Sequence, residues 1–202
     1  MFILILCSPR TGSSMVAKIF HNHGVWTGET CKVNRFNYDS YENESLKNCV
    51  KSYWHHYSQI HGKHFGTPME ACQEYINGVN KAIANEKPTN PWLFKMFVEG
   101  YKLFLHLKPK FVLIRRDTKQ AIQSMKDKNP NNHDLISKIH NDRMNSMEYI
   151  EKTYGAAWVN TDEIIEGNYS SLNNAFDFCG LEFNSIIADN SIEKQKWHYK
   201  RN

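Results

Sequence analysis

Two short stretches of this 202-residue chain carry residue types that could hold an anion. The first is Ser8-Pro9-Arg10-Thr11-Gly12-Ser13-Ser14, which follows the apolar run Phe2–Cys7. Met15, Val16, Ile19 and Phe20 come next at helical spacing, so the loop opens a helix. A helix N-terminus leaves backbone N–H groups unpaired and carries partial positive charge. Gly12 would let the backbone approach a phosphate, Ser13 and Ser14 add hydroxyl donors, and Arg10 adds a permanent charge on a planar fork. The second stretch is FVLIRRDTKQAIQSM, residues 111–125. A strand pattern delivers Arg115 and Arg116 at its end, and a helix pattern then carries Ser124. An arginine and a serine one or two turns into the following helix can converge on one phosphate. Each stretch also has a plainer reading: a capped strand-to-helix turn in the first, and Arg116 paired with Asp117 in the second.

The first stretch is not a Walker A loop. With Gly12 as the second glycine of G-x-x-x-x-G-K-[ST], the first glycine falls on Cys7 and the lysine on Ser13. Only Ser14 agrees, which disfavours an ATPase or GTPase while leaving the anion-binding geometry intact.

The elements that must position these residues follow from periodicity. Phe2–Cys7 is continuously apolar, as expected of a strand buried on both faces of a parallel sheet. Residues 92–98, 111–115 and 156–160 read as three further strands. Helices are predicted over 45–61, 68–85, 99–107, 119–128, 134–154 and 171–179. Strands alternating with helices predict a single-domain α/β fold with a mainly parallel sheet flanked by helices. Residues 31–91 are rich in Asn, Tyr, Trp and His and read as a helical insertion after the first βα unit, on the side where an acceptor would bind.

The totals exclude several classes. Hydrophobic residues at 41% and charged residues at 23% are ordinary globular values, and a net charge of +4 falls short of a dedicated nucleic-acid binder. The five cysteines have no paired spacing, which argues against zinc and disulfides and fits a reducing compartment. No apolar stretch is long enough to cross a bilayer, and Phe2–Cys7 is too short for a signal-peptide core, so a cytoplasmic location is expected.

Together the two stretches resemble the sulfotransferases that use 3′-phosphoadenylyl sulfate (PAPS), a family with a P-loop NTPase-like three-layer architecture. That family carries a Pro-[Lys/Arg]-x-Gly-[Thr/Ser]-[Thr/Ser] loop, matched here by Pro9, Arg10, Thr11, Gly12, Ser13 and Ser14. Its second element is an arginine at a strand end with a serine eight positions on, matched by Arg116 and Ser124. A weaker likeness covers residues 160–183, and 31–91 lie outside it. The resemblance implies that the loop holds the 5′-phosphosulfate and that Arg116 and Ser124 hold the 3′-phosphate. The product would be adenosine 3′,5′-bisphosphate, and no metal is called for.

For catalysis, the resemblance implies Arg10 as the charge stabiliser at the bridging oxygen and Lys95 near the reaction centre. Cytosolic members place a histidine two residues after that lysine, where this chain has Phe97. Other branches use a glutamate just after the first helix, which makes Glu29 the candidate base, ahead of Glu99 and His106. The histidine-rich 54–64 segment lacks a carboxylate cluster and reads as a solvated or acceptor-lining helix rather than a metal site. His21–His23 lacks nuclease context. The basic tail, residues 193–202, could close over the nucleotide through Lys196, Trp197, Lys200 or Arg201, or fray. The acceptor implied is a small molecule, lipid or glycan, with oligomeric state open. Two alternatives remain on the sequence: a P-loop kinase-like phosphotransferase, and a non-catalytic nucleotide-binding module.

Overall fold

The structure is a computed structural model and describes residues 1–33, 38–62, 66–127 and 133–192. Four parallel strands form the central sheet: β1 (Phe2–Cys7), β4 (Trp92–Phe97), β5 (Lys110–Arg115) and β6 (Ala156–Asn160), in the order β4-β1-β5-β6. β1 lies between β4 and β5, with Ile5 opposite both Lys95 and Val112. Phe2, Leu4 and Leu6 point to one face and Ile3, Ile5 and Cys7 to the other, all buried. That two-sided burial is the reason β1 is apolar throughout.

Each face carries a helical layer. On the face of Leu4 pack α2 (Glu44–His61), α3 (Gln73–Glu86), a 3₁₀ segment (Val98–Leu107) and α5 (His133–Tyr154), through Leu46, Tyr53, Val79, Phe104, Met147 and Ile150. The face of Ile5 is covered by α1 (Ser13–Asn22), α6 (Thr161–Ile165), α7 (Ser170–Phe178) and α8 (Ser185–Ser191), through Val16, Phe20, Ile164, Leu172, Phe176 and Ala188. Phe20 stacks on Phe176 at 4.3 Å between ring centroids. The parallel sheet flanked by helices expected from the alternating pattern is present, in the three layers that the resemblance implied.

The region 31–91 departs from its helical reading in two places. A short antiparallel pair, β2 (Thr30–Val33) and β3 (Tyr38–Asn43), precedes α2 and packs β3 against β4. Its sequence, YDSYEN, lacks the apolar alternation that marks a half-buried strand. The second helix starts at Gln73 rather than at 68 because the Met69 N–H donates to the Glu99 carbonyl at 2.8 Å, holding the preceding residues against the 3₁₀ segment. That segment, predicted as an ordinary helix, winds more tightly. α4 spans Thr118–Lys126, and the predicted end of this helix at 128 lies outside the described residues. The basic tail 193–202 does too. Outside the four strands, α6 and α8 are short helices that periodicity did not reveal.

Candidate functional site

The parallel sheet ends its strands β1 and β5 side by side, and open parallel sheets bind ligands at that edge. The turn after β1 holds two residues in the left-handed region, Arg10 at φ 64° and Gly12 at φ 81°. Glycine adopts this conformation freely, whereas an arginine there costs about 1–2 kcal/mol. The surroundings hold it in place. Arg10 Nε donates to Ser124 Oγ at 2.9 Å, and the Arg10 carbonyl accepts from Arg116 Nη1 at 3.3 Å. Thr11 Oγ1 donates to the Ser8 carbonyl at 2.7 Å, and the Thr11 carbonyl accepts from Thr161 Oγ1 at 2.8 Å. Ser8 Oγ lies 2.9 Å from Nδ1 of buried His140 on α5. Burial, aided by the Arg143 charge, pushes the His140 imidazole below its ordinary pKa, so the ring is neutral at pH 7.

The two stretches singled out in the sequence therefore meet. Arg116 stands just past β5, its side chain 6% exposed, with Nη2 donating to Gln120 Oε1 at 3.0 Å and Nε 3.4 Å from Asp162 Oδ1. Ser124 is buried one face along α4, whose N-terminus is capped by Asp117. Helices α2, α4, α6 and α8 each take an Asn or Asp side-chain cap, whereas α1, like α3 and α7, has none, and its N-cap is Gly12. Its first-turn N–H groups, Ser13 and Ser14 sit beside the Arg10–Ser124–Arg116 cluster. This is a set of donors with two guanidinium groups, suited to phosphate-like anions.

A third component adjoins it. Lys95, on β4 and 4% exposed, donates to Ser14 Oγ at 3.0 Å and pairs with Glu42 Oε1 at 3.1 Å. Glu42 Oε2 takes Lys47 at 2.6 Å. Burial pushes the Glu42 carboxyl up, but Lys95 and Lys47 together outweigh it and hold the group below its usual range. From Lys95 a cavity of about 290 Å³ runs between β4, α2 and α5. Its apolar wall includes Trp54, Met69, Phe94 and Phe97, and its charged groups include Glu42, Lys47, Lys51 and Arg143. Arg143 is fixed from behind: Nε and Nη2 both reach Glu99 Oε1, at 2.7 and 2.6 Å, and its guanidinium lies 4.7 Å from the Phe97 ring.

Of the residues expected from sequence, Pro9, Arg10, Thr11, Gly12, Ser13, Ser14, Arg116, Ser124 and Lys95 gather at this one edge. Glu29 does not join them: it is exposed, its backbone carbonyl accepts from the Glu44 N–H at 2.9 Å, and it is absent from the cavity lining. The carboxylate beside Lys95 belongs to Glu42. Sequence reasoning missed it because it sits in a polar strand with no motif, placed by the β2–β3 pairing. Asp162 and His140 were missed for a similar reason, since only packing brings α5 and α6 to the loop. Glu99 is bound to Arg143, and His106 Nε2 meets Asn80 Oδ1 at 2.7 Å at the surface. Among the described residues no cluster of three or more His, Cys, Asp or Glu could hold a metal, and no helix is long and apolar enough to cross a membrane.

A sulfotransferase domain from the olefin synthase of Synechococcus PCC 7002 superposes with a TM-score of 0.57 over 93% of this chain and 76% of its own, at 14% identity. The fold is that of the sulfotransferases. A sulfotransferase domain from the curacin biosynthetic pathway matches similarly, with a TM-score of 0.56, 14% identity, and 92% and 75% of the two chains covered. Mouse sulfotransferase SULT7A1, solved in complex with PAP, gives a TM-score of 0.52 at 11% identity. It is covered over 63% of its length by 96% of this chain. No protein-family model and no curated protein matches the sequence. The sulfotransferase fold is thus preserved here at identities where sequence comparison alone is silent.

Proposed function

We propose that the protein transfers a sulfuryl group from PAPS to a hydroxyl or amine of a small acceptor. The observation that carries this reading is the Arg10–Ser124–Arg116 cluster, which joins the uncapped start of α1 to the end of β5. One end suits a 5′-phosphosulfate and the other a 3′-phosphate. The PAP held by the mouse neighbour of the same fold supports assigning this ligand.

In the proposed step, the acceptor oxygen attacks the sulfur of PAPS and loses its proton to a base. The bond from sulfur to the bridging phosphate oxygen breaks, and adenosine 3′,5′-bisphosphate leaves with that oxygen's charge. Arg10 and Lys95 stabilise this charge; removing such a donor typically costs on the order of 10²–10³ in rate. Glu42 is the base on this reading, being ionised, one ion pair from Lys95 and bordering the cavity where an acceptor would lie. Glu29, the base expected from sequence, is its competitor.

Calorimetry with adenosine 3′,5′-bisphosphate against ATP tests the donor, and a preference for ATP would favour a kinase-like phosphotransferase instead. Label transfer from radiolabelled PAPS to a hydroxyl panel separates an enzyme from a nucleotide-binding module. Glu42→Gln should suppress turnover and spare nucleotide binding; if Glu29→Gln does so instead, the base is Glu29.

A further inference from the structure

The cavity beside Lys95 is lined by α2 through Lys47, Val50, Lys51 and Trp54. These positions are i, i+3, i+4 and i+7, the spacing a helix normally fills with apolar residues where it faces a core. Here two of the four are lysines. Lys47 has a local explanation, since it pairs with Glu42. Lys51 has none: it is exposed, borders the cavity, and has no carboxylate at ion-pair distance among the described residues.

The cavity's charges do not cancel. Lys47, Lys51, Lys95 and Arg143 face two carboxylates, Glu42 and Glu99. Both acids are already engaged, Glu42 by Lys95 and Lys47, and Glu99 by Arg143. Of the two positive charges in excess, one is shared within the Lys47–Glu42–Lys95 group and the other falls at Lys51, one helical turn above the Glu42–Lys47 pair. Along α2 the lining runs from Lys47 through Val50 and Lys51 to Trp54, and β4 adds Phe97, which is 44% exposed, so the wall near Lys51 is largely apolar and aromatic. A volume of about 290 Å³ lies at the lower end of small-molecule pockets, which favours a compact acceptor over a glycan chain or a polycyclic lipid.

From this geometry we infer that the acceptor is a compact hydroxyl compound with an apolar body and an anionic group, and that Lys51 reads the anion. The inference rests on the sulfuryl-transfer reading for the word acceptor, while the charge preference of the cavity can be measured without any transfer. The hydroxyl would lie toward Lys95 and Glu42, the apolar body against Val50 and Phe97, and the anion beside Lys51.

Three phenols of similar size test it: 4-hydroxyphenylacetate (anionic), 4-ethylphenol (neutral) and tyramine (cationic). Equilibrium dialysis with the full chain, with and without adenosine 3′,5′-bisphosphate, should give the affinity order anionic, neutral, cationic. Lys51→Glu should lower the anionic-to-neutral affinity ratio by about tenfold or more, the scale of one charge-assisted hydrogen bond. It should also raise the tyramine-to-neutral ratio. Affinity for adenosine 3′,5′-bisphosphate serves as the control that the variant is folded. A wild-type order that ignores charge, or one that Lys51→Glu leaves in place, overturns the inference. Failure to bind adenosine 3′,5′-bisphosphate would instead overturn the sulfotransferase reading, and the phenol order would still decide the role of Lys51.

Discussion

Replacing Arg116 by lysine preserves the charge and removes the planar fork. In the structure the guanidinium reaches the Arg10 carbonyl at 3.3 Å, Gln120 Oε1 at 3.0 Å and Asp162 Oδ1 at 3.4 Å. A single ammonium on a flexible stem cannot hold this orientation and also present donors to an oxyanion. Asp162 would keep the Asp117 N–H at 2.6 Å, so its carboxylate is not orphaned. The stability loss should therefore stay near the ordinary value of about 1 kcal/mol. The effect on ligand is larger. A hydrogen bond to a charged group is worth about 1.5–3 kcal/mol and each 1.4 kcal/mol is tenfold, so affinity should fall roughly 10- to 150-fold. That fall applies to adenosine 3′,5′-bisphosphate. Adenosine 5′-monophosphate lacks the 3′-phosphate, and its affinity should change by about twofold at most. Titration calorimetry on both nucleotides, with a melting curve to show the variant is folded, measures the difference. Equal changes for the two nucleotides would mean that Arg116 does not read the 3′-phosphate, and the donor assignment would fall with it.

Lys95→Met should reduce turnover by on the order of 10²–10³ while shifting bisphosphate affinity only a few-fold, because Lys95 meets Ser14 and Glu42 at the reacting end; steady-state kinetics beside calorimetry reads the split. The Lys47–Glu42–Lys95 network should stabilise the fold above the ordinary carboxylate value of 4.5, and this stabilisation should be lost as pH falls through the lowered folded value. Comparing the pH dependence of urea midpoints for wild type and Glu42→Gln isolates it, and matching slopes would contradict it. His140 should act near neutrality: its lowered folded value makes the protein lose stability as pH drops below 6.5, and His140→Gln should flatten that slope. Gly28→Ala should destabilise by roughly 2–3 kcal/mol in chemical denaturation, since its φ is +68° and an added Cβ would lie 2.3 Å from Nδ2 of Asn43, the α2 cap.

The sequence alone determined the parts whose signal is local. Phe2–Cys7 is apolar because both its faces are covered, so its place inside a parallel sheet could be read without coordinates. Arg10, Gly12, Ser13 and Ser14 advertise an anion loop by type and order, and Arg116 with Ser124 does so by spacing. Pairing across the chain decided the rest. Glu42 acquires its partner because a hairpin with no apolar alternation lays it beside β4. Asp162 and His140 reach the loop only when α6 and α5 pack at the sheet edge. Lys51 looks like any solvated lysine until α2 turns that face toward a cavity. Short-range patterns record which face of an element is buried, because burial selects residue type position by position. They carry no record of which distant element covers that face, and a buried charge depends on that element for its partner.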